Sequence, residues 1–268
     1  MAVEAQPTQV LGLSQRDLRE QDLLDCLSIH PARMGEELVG RTRAIDAWKQ
    51  LIPSRSFSAA VIEAPSTAAG PRILGFGADV FVSRAFAEEE VSNPRPGLNA
   101  RIIASIDSGR SVILSDVQLR SANRKTGLDL VILYGSWRRD VLGGDAVSEV
   151  CTALASRFVE LHHGYRLNQM ITEVVGPEEK SQYEATHAWR IICSFNGQQG
   201  SNSALAVITR QDALSVTASV VTVLFHHREP VLQLRDADQQ LLLAALSGFT
   251  DEELSRKLSL SLAAVKKR

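Results

Sequence analysis

The run Arg72–Ser83, RILGFGADVFVS, decides the fold of the larger part of the chain. Its side chains alternate and are rich in Val, Ile and Phe, the pattern of a β-strand half or fully buried in a sheet. Phe57–Ala64, FSAAVIEA, is a second strand, and the small residues of Pro65–Pro71 make the turn between them. The two runs are therefore predicted to pair as a hairpin. Gly75 and Gly77 lie inside the second strand, where a glycine marks a bulge or a close approach of another element.

Outward from the hairpin, helical and strand patterns alternate. Asp17–Leu27, capped by Ser14 or Asp17, and Thr42–Leu51 read as helices before it, with a break at His30-Pro31. After it, Phe86–Ser92 and Gly97–Ile106 read as helices, and Ser111–Leu114 as a short strand or loop. Leu128–Tyr134, LDLVILY, is nearly all apolar, as in a strand buried on both faces. Arg138–Asp145 is expected to be an exposed loop. Asp145–His162 is a long amphipathic helix, broken at His163-Gly164, with helix resuming over Tyr165–Val174. Glu178–Ala188 is a further helix, Arg190–Phe195 and Leu205–Thr209 are strands with a loop at Asn196–Asn202 between them, and Asp212–Phe225 is a Val-rich helix or strand, with the Asp212 cap favouring helix. Strands separated by helices define a mixed α/β domain over 15–225. Residues 1–14 read as an irregular N-terminus and 226–233 as a linker.

The remainder, 234–268, reads LRDADQQLLLAALSGFTDEELSRKLSLSLAAVKKR. Asp236 and Asp238 open a first helix, which Gly248 closes. Thr250 with Glu253 forms a capping box for a second helix, in which Leu254 and Leu258 share one side. Ser261 caps a third helix that ends in Lys266, Lys267 and Arg268. Two short helices joined by a tight turn, with small residues and then cations on the second, suit a major groove and its phosphates.

These residues resemble the LuxR-type helix-turn-helix of bacterial transcription regulators. Leu234 and Asp238 hold its opening positions; Gly248, Thr250, Glu253, Leu254 and Ser255 the middle ones; Leu258, Leu260, Ser261, Ala264, Val265 and Lys266 the last. Asp238, Leu254, Ser255, Leu260 and Ala264 depart from the residues usual there. In that family the third helix continues and a fourth packs behind it, so the module here is expected to be incomplete. The resemblance implies an all-α DNA-binding module, a homodimer on double-stranded DNA, and a small-molecule effector for the larger domain. Thr250, Ser261, Ala264, Val265, Lys266, Lys267 and Arg268 are the DNA-contact residues it implies.

The composition bounds the alternatives. The formal net charge is −2, so any nucleic-acid contact must come from a local patch. Three cysteines, none in a CxxC spacing, suit a reducing compartment. No apolar run reaches a membrane span, so a cytoplasmic protein is expected, with no membrane partner. No HExxH, GxSxG or P-loop pattern occurs. His162-His163 and His226-His227 are expected to be exposed or capping residues. An acidic receiver site is missing, and aromatics at 5% do not suit an acyl-homoserine-lactone pocket. No cofactor, metal or enzymatic activity is expected on this reading.

A second resemblance concerns the larger domain. The hairpin, the strand Leu128–Tyr134 with its following helix, and the helix Glu178–Trp189 leading into strand Arg190–Phe195 are similar in order to the acetyltransferase (GNAT) fold. That family's acetyl-CoA loop, Arg/Gln-x-x-Gly-x-Gly/Ala, should follow the buried strand; Arg139–Gly143 has one residue too many for it. The alternative function this implies is an acyl-CoA-dependent acetyltransferase-like enzyme carrying a helical tail.

Overall fold

The computed structural model describes residues 12–29, 40–64, 72–185, 187–195, 202–216, 222–226, 236–246 and 248–267. The N-terminal segment 1–11, the breaks at His30-Pro31 and Pro65–Pro71, most of the loop Asn196–Asn202, the linker 227–233, Leu234 and Arg268 lie outside them. The chain divides into two compact units, Met1–Glu229 and Pro230–Arg268.

The first unit is a mixed sheet of seven strands with helices on both faces. Its strands are β1 (Ser14–Asp17), β2 (Phe57–Glu63), β3 (Ile73–Val82), β4 (Leu128–Trp137), β5 (Leu167–Val175), β6 (Arg190–Ser194) and β7 (Ser203–Thr209). Their spatial order is β1-β2-β3-β4-β5-β7-β6. Every neighbouring pair is antiparallel except β4 and β5, which run parallel. The helices of this unit are α1 (Leu23–Ile29), α2 (Arg41–Leu51), α3 (Arg84–Ser92), α4 (Leu98–Asp107), α5 (Asp116–Arg124), α6 (Gly144–His162), α7 (Gly176–Ala185), α8 (Arg210–Ser215) and α9 (Val223–His226).

The expected hairpin is present as β2 and β3, in register Phe57↔Val80 through Ile62↔Gly75. Alternation sends Phe76, Ala78 and Val80 to one face, into a core with Trp48 of α2 and Ile102 and Ile103 of α4. Trp48 sits edge-on to Phe57, Phe76 and Tyr134, with ring centroids 5.8–6.0 Å apart, a favoured geometry for aromatic packing. The opposite face carries Gly75, Gly77, Asp79 and Phe81 beneath α6. A Cβ on Gly75 would lie 2.7 Å from Cγ1 of Val150, so the strand is glycine there because the helix packs directly onto its backbone.

Three segments differ from expectation. Ser14–Asp17 is an edge strand on β2, where its backbone pairs and its polar side chains stay largely at the surface. Tyr165–Val174 is not helix but holds all of β5 except Val175, and the pairing of β5 with both β4 and β7 outweighs the helical reading. Asp212–Phe225 is not one helix. Thr209 and Asp212 form a capping box for the short α8, which ends at an extended Val216, and α9 follows separately.

The second unit contains α10 (Asp236–Leu246), α11 (Asp251–Lys257) and α12 (Leu262–Lys267). Leu241, Ala244, Leu254 and Val265 form its small core, with Leu258 and Leu260 against them.

Candidate functional site

The site is built where β4 leaves β5. The parallel pairing runs from Leu128↔Leu167 to Ile132↔Thr172 and stops, while β4 continues to Trp137. At the same point β4 carries a bulge. β3 pairs Asp79 with Ile132 and Ala78 with Tyr134, which leaves Leu133 as the extra residue. The bulge places two consecutive side chains, Leu133 and Tyr134, in the core on the α2 and α4 side. Beyond it, β4 stays paired to β3 through Trp137 but has no strand pairing on the β5 side.

The N-terminus of α4 closes one side of this wedge. Glu173, on β5 just past the last residue paired to β4, accepts hydrogen bonds from the backbone N–H of Gly97 (3.1 Å) and Leu98 (2.7 Å) and from the Ser203 hydroxyl (2.6 Å). A carboxylate at a helix N-terminus satisfies donors that have no partner within the helix. Gly97 supports this with φ +80°, a left-handed conformation suited to glycine. The Asn99 side-chain amide donates to the carbonyl of the bulged Leu133, and its buried Oδ1 has no hydrogen-bond partner.

On the other face a cavity of about 340 Å³ lies between the sheet, α6 and α7. Gly77, Asp79, Ile132, Gly135 and Trp137 form its sheet side; Cys151, Leu154, Ala155 and Phe158 line it from α6, and Tyr183 and Trp189 from the α7 side. Gly77 and Gly135 face each other across β3 and β4, so this part of the sheet carries no side chains. At the inner end His162 and Asp79 are buried together. Nε2 of His162 lies 2.7 Å from Oδ1 of Asp79, and its Nδ1 donates to the Phe158 carbonyl at 2.7 Å. Burial raises the Asp79 carboxyl above its usual range. Burial also pushes the His162 imidazole down, but the Asp79 charge and the two hydrogen bonds outweigh that and raise it. His162 is thus neither exposed nor an end cap, contrary to expectation: the last turn of α6 tucks it under the helix.

The loop after β4 is held in place by its arginines. Arg138 donates to the Ile73 carbonyl and to the Ser28 hydroxyl, and Arg139 lies over the Trp137 ring, 5.3 Å from its centroid, while pairing with Glu178 at 3.3 Å. α6 begins immediately beyond, with Gly143 at its N-cap. The thiol of Cys151 lies on the cavity wall, where burial raises it above its usual value. Among the described residues no cluster of three or more His, Cys, Asp or Glu is arranged to hold a metal ion, and no helix is long and apolar enough to cross a membrane.

The residues singled out in the tail are placed as follows. Thr250 caps α11, its hydroxyl accepting from the Glu253 N–H, and Ser261 accepts from the Ala264 N–H. Ala264 is half-buried and Lys266 exposed on α12; Lys267 ends that helix, and Arg268 is outside the described residues. Val265 is buried in the core of the unit.

The first unit has the mixed α/β sheet with helices that the sequence predicts. No family model matches the chain, and no curated protein does. Solved structures similar to it include FeeM, an N-acyl amino acid synthase from uncultured soil microbes, at 8% identity and a TM-score of 0.42, covering 76% of this chain and 94% of that one. Arabidopsis thaliana NAA60 in complex with acetyl-CoA is 14% identical with a TM-score of 0.44, over 74% and 98% of the two chains. A variant of the Vibrio cholerae spermidine N-acetyltransferase SpeG is 10% identical with a TM-score of 0.42, over 74% and 93%. At such identities and TM-scores these are likenesses and carry nothing over to this chain.

The LuxR-type reading is corrected by these findings. The similar solved structures are acyltransferases, and nothing in the comparisons points to a LuxR-type regulator. The expectations of a DNA-binding transcription regulator and of a chain without enzymatic activity fall with it. The physical reason is that caps, turns and a basic end are local features of short helices. They specify the helices without specifying what those helices meet. The wedge, bulge and cavity of the first unit, by contrast, had no signature in the tail.

Proposed function

We propose that the chain is an acyl-CoA-dependent acyltransferase, its site formed where β4 parts from β5. The observation that carries this reading is the coincidence, at Leu133, of the β4 bulge and the end of β4–β5 pairing, beside a cleft open to solvent on one side. In an acetyltransferase-like fold this opening suits an extended thioester arm. The unpaired edge of β4 beyond Leu133 offers main-chain groups to the arm's amides, as an added strand would. The acyl carbonyl then lies at the wedge, between the cavity and the α4 side. An acceptor approaching from that side attacks the carbonyl carbon with its lone pair. The C–S bond breaks, and CoA leaves as the thiol once it has taken up the proton lost by the acceptor.

The partnerless Oδ1 of Asn99, adjacent to the Leu133 carbonyl, favours an acceptor that carries N–H. The loop Arg139–Gly143 departs from the family's acetyl-CoA loop by one residue, so the reading rests on the wedge and the cleft. The direct test is thermal unfolding with CoA and acetyl-CoA. A ligand at 100 times its Kd stabilises by about 2.7 kcal/mol, which raises Tm by several degrees. An unchanged Tm at millimolar CoA and acetyl-CoA would overturn the reading.

A further inference from the structure

We propose that Thr172 is a positioning residue, which fixes how far along the β4 edge the thioester arm seats. The proposal rests on the acyl-CoA reading above and concerns the placing of the donor in that site. A ligand added to a sheet edge as a strand meets the same main-chain groups at every second residue. The edge alone therefore does not set the ligand's register, and the place where the arm stops must be marked at the wedge itself.

Two side chains mark it. Thr172 forms the last pair of the parallel ladder, with Ile132, and is buried. Its hydroxyl donates to the Ile132 carbonyl at 3.1 Å. The next carbonyl, that of Leu133, accepts from the Asn99 side-chain amide. Consecutive carbonyls at the parting are thus satisfied by side chains, one from β5 and one from α4. A buried carbonyl that leaves a ladder needs another donor, and here both have one, so the pairing ends without an orphaned group.

The hydroxyl comes to Ile132 from the β5 side, the side on which the arm would add. It stands where an amide of the arm would otherwise donate. Thr172 alone in β5 carries a hydroxyl, and its β-branched side chain also suits the strand. One residue therefore closes the ladder and stops the arm. Without the hydroxyl, an arm amide donates to the Ile132 carbonyl in its place, and the thioester carbonyl moves past the point where the acceptor reaches it. One hydrogen bond replaces another, so affinity changes little. A displacement of about 1 Å at the reacting atoms, by contrast, costs on the order of a hundredfold in rate.

The test uses acetyl-CoA labelled with ¹³C at the acyl carbonyl, bound to the full chain, with Kd from calorimetry. Thr172→Val keeps the shape and removes the donor. Thr172→Ala also removes it and serves if the valine protein does not fold; Thr172→Ser keeps it. Without the hydroxyl, Kd should stay within about threefold of wild type, while the bound carbonyl resonance moves away from its wild-type position. Serine should restore that position. A wild-type resonance in the folded valine or alanine protein would overturn the proposal and leave the acyl-CoA reading standing. So would a serine protein that keeps the valine resonance, or a loss of affinity beyond about tenfold, which would make the hydroxyl a brace for the strands and not a stop for the arm. Binding of neither CoA nor acetyl-CoA by the wild-type chain would remove both.

Discussion

Nε2 of His162 and Oδ1 of Asp79 lie 2.7 Å apart in a site buried from solvent, although the residues are 83 apart in sequence. With Nδ1–H fixed on the Phe158 carbonyl, the proton between Nε2 and Oδ1 cannot leave without setting a carboxylate against an imidazole lone pair. The imidazole is accordingly raised above its usual value of 6.5. A raised histidine contributes stability that is fully present below pH 6.5 and is lost as pH rises through the folded value. Urea unfolding from pH 6 to pH 9 should therefore show stability falling with pH by up to about 1.4 kcal/mol per unit for this one proton. His162→Gln should be less stable at pH 6 and should lose that component of the slope. An identical slope in the variant would show that the pair does not hold the proton.

The opposite sign applies at the sheet edge. Arg16 of β1 bridges Asp22 and Glu63, each at 2.6 Å, and Arg72 joins Glu63 at 2.8 Å. Burial pushes Asp22 up, but the Arg16 hydrogen bonds and the Arg19 N–H outweigh it and lower it; hydrogen bonds from Arg16 lower Glu63 against its burial. Carboxyls held low contribute stability present above about pH 4 and lost as pH falls below it. Arg16→Ala leaves the buried Asp22 carboxylate without an ion-pair partner and Glu63 with Arg72 alone. It should cost about 2–3 kcal/mol at pH 7 and shift the acid-unfolding midpoint upward. The same midpoint in wild type and variant would show that the network contributes nothing.

How far these features were legible depended on how local their causes are. The hairpin and the strand at Leu128–Tyr134 were readable because alternation and apolar runs lie in consecutive residues. β1 was not: Ser-Gln-Arg-Asp has no strand composition, and only backbone pairing to β2 makes it one. β5 was obscured because Asn168, Gln169 and Glu173 break an otherwise apolar run. The buried role of Glu173, as anchor for Gly97 and Leu98, comes from an element 75 or 76 residues away. The Leu133 bulge is a relation between two strands, so no single segment announces it. Of the site, Gly77 alone had a usable signal, since a glycine inside a strand pattern called for close packing. His162, Asp79 and Gly135 acquire their roles from partners distant in sequence. The tail showed the reverse: its caps were plain, and they did not determine a function.

The glycine beneath α6 sets the depth of the helix. Gly75→Ala places a Cβ 2.7 Å from Cγ1 of the fully buried Val150, closer than atoms in a packed interior approach. The strand or the helix must shift, at about 1–3 kcal/mol. Val150→Ala removes the opposing methyls, so the double variant should lose at least about 1 kcal/mol less than the two single losses added together. Chemical denaturation of the four proteins gives this cycle. Additive losses would mean that the helix does not rest on Gly75.

Glu173 supplies the most specific test of the wedge, because its carboxylate meets three donors with two oxygens. One oxygen accepts from Gly97 N–H and Ser203 Oγ–H, the other from Leu98 N–H. Glutamine cannot reproduce this. Whichever way its amide turns, the NH₂ faces a backbone N–H, and one helix-end donor is left without an acceptor. Glu173→Gln should therefore cost about 1–3 kcal/mol despite its matched shape, and Glu173→Ala about the same or more. The damage should be local. Hydrogen exchange should accelerate at Gly97, Leu98 and the first turn of α4, while amides of the β2–β3 hairpin keep their protection relative to the new global stability. If the proposed acceptor approaches from the α4 side, acyl transfer should fall further than acyl-CoA binding in both variants, since α4 carries Asn99. Equal exchange at Gly97 and Leu98 in wild type and Glu173→Ala would show that α4 is held at the wedge by its packing alone.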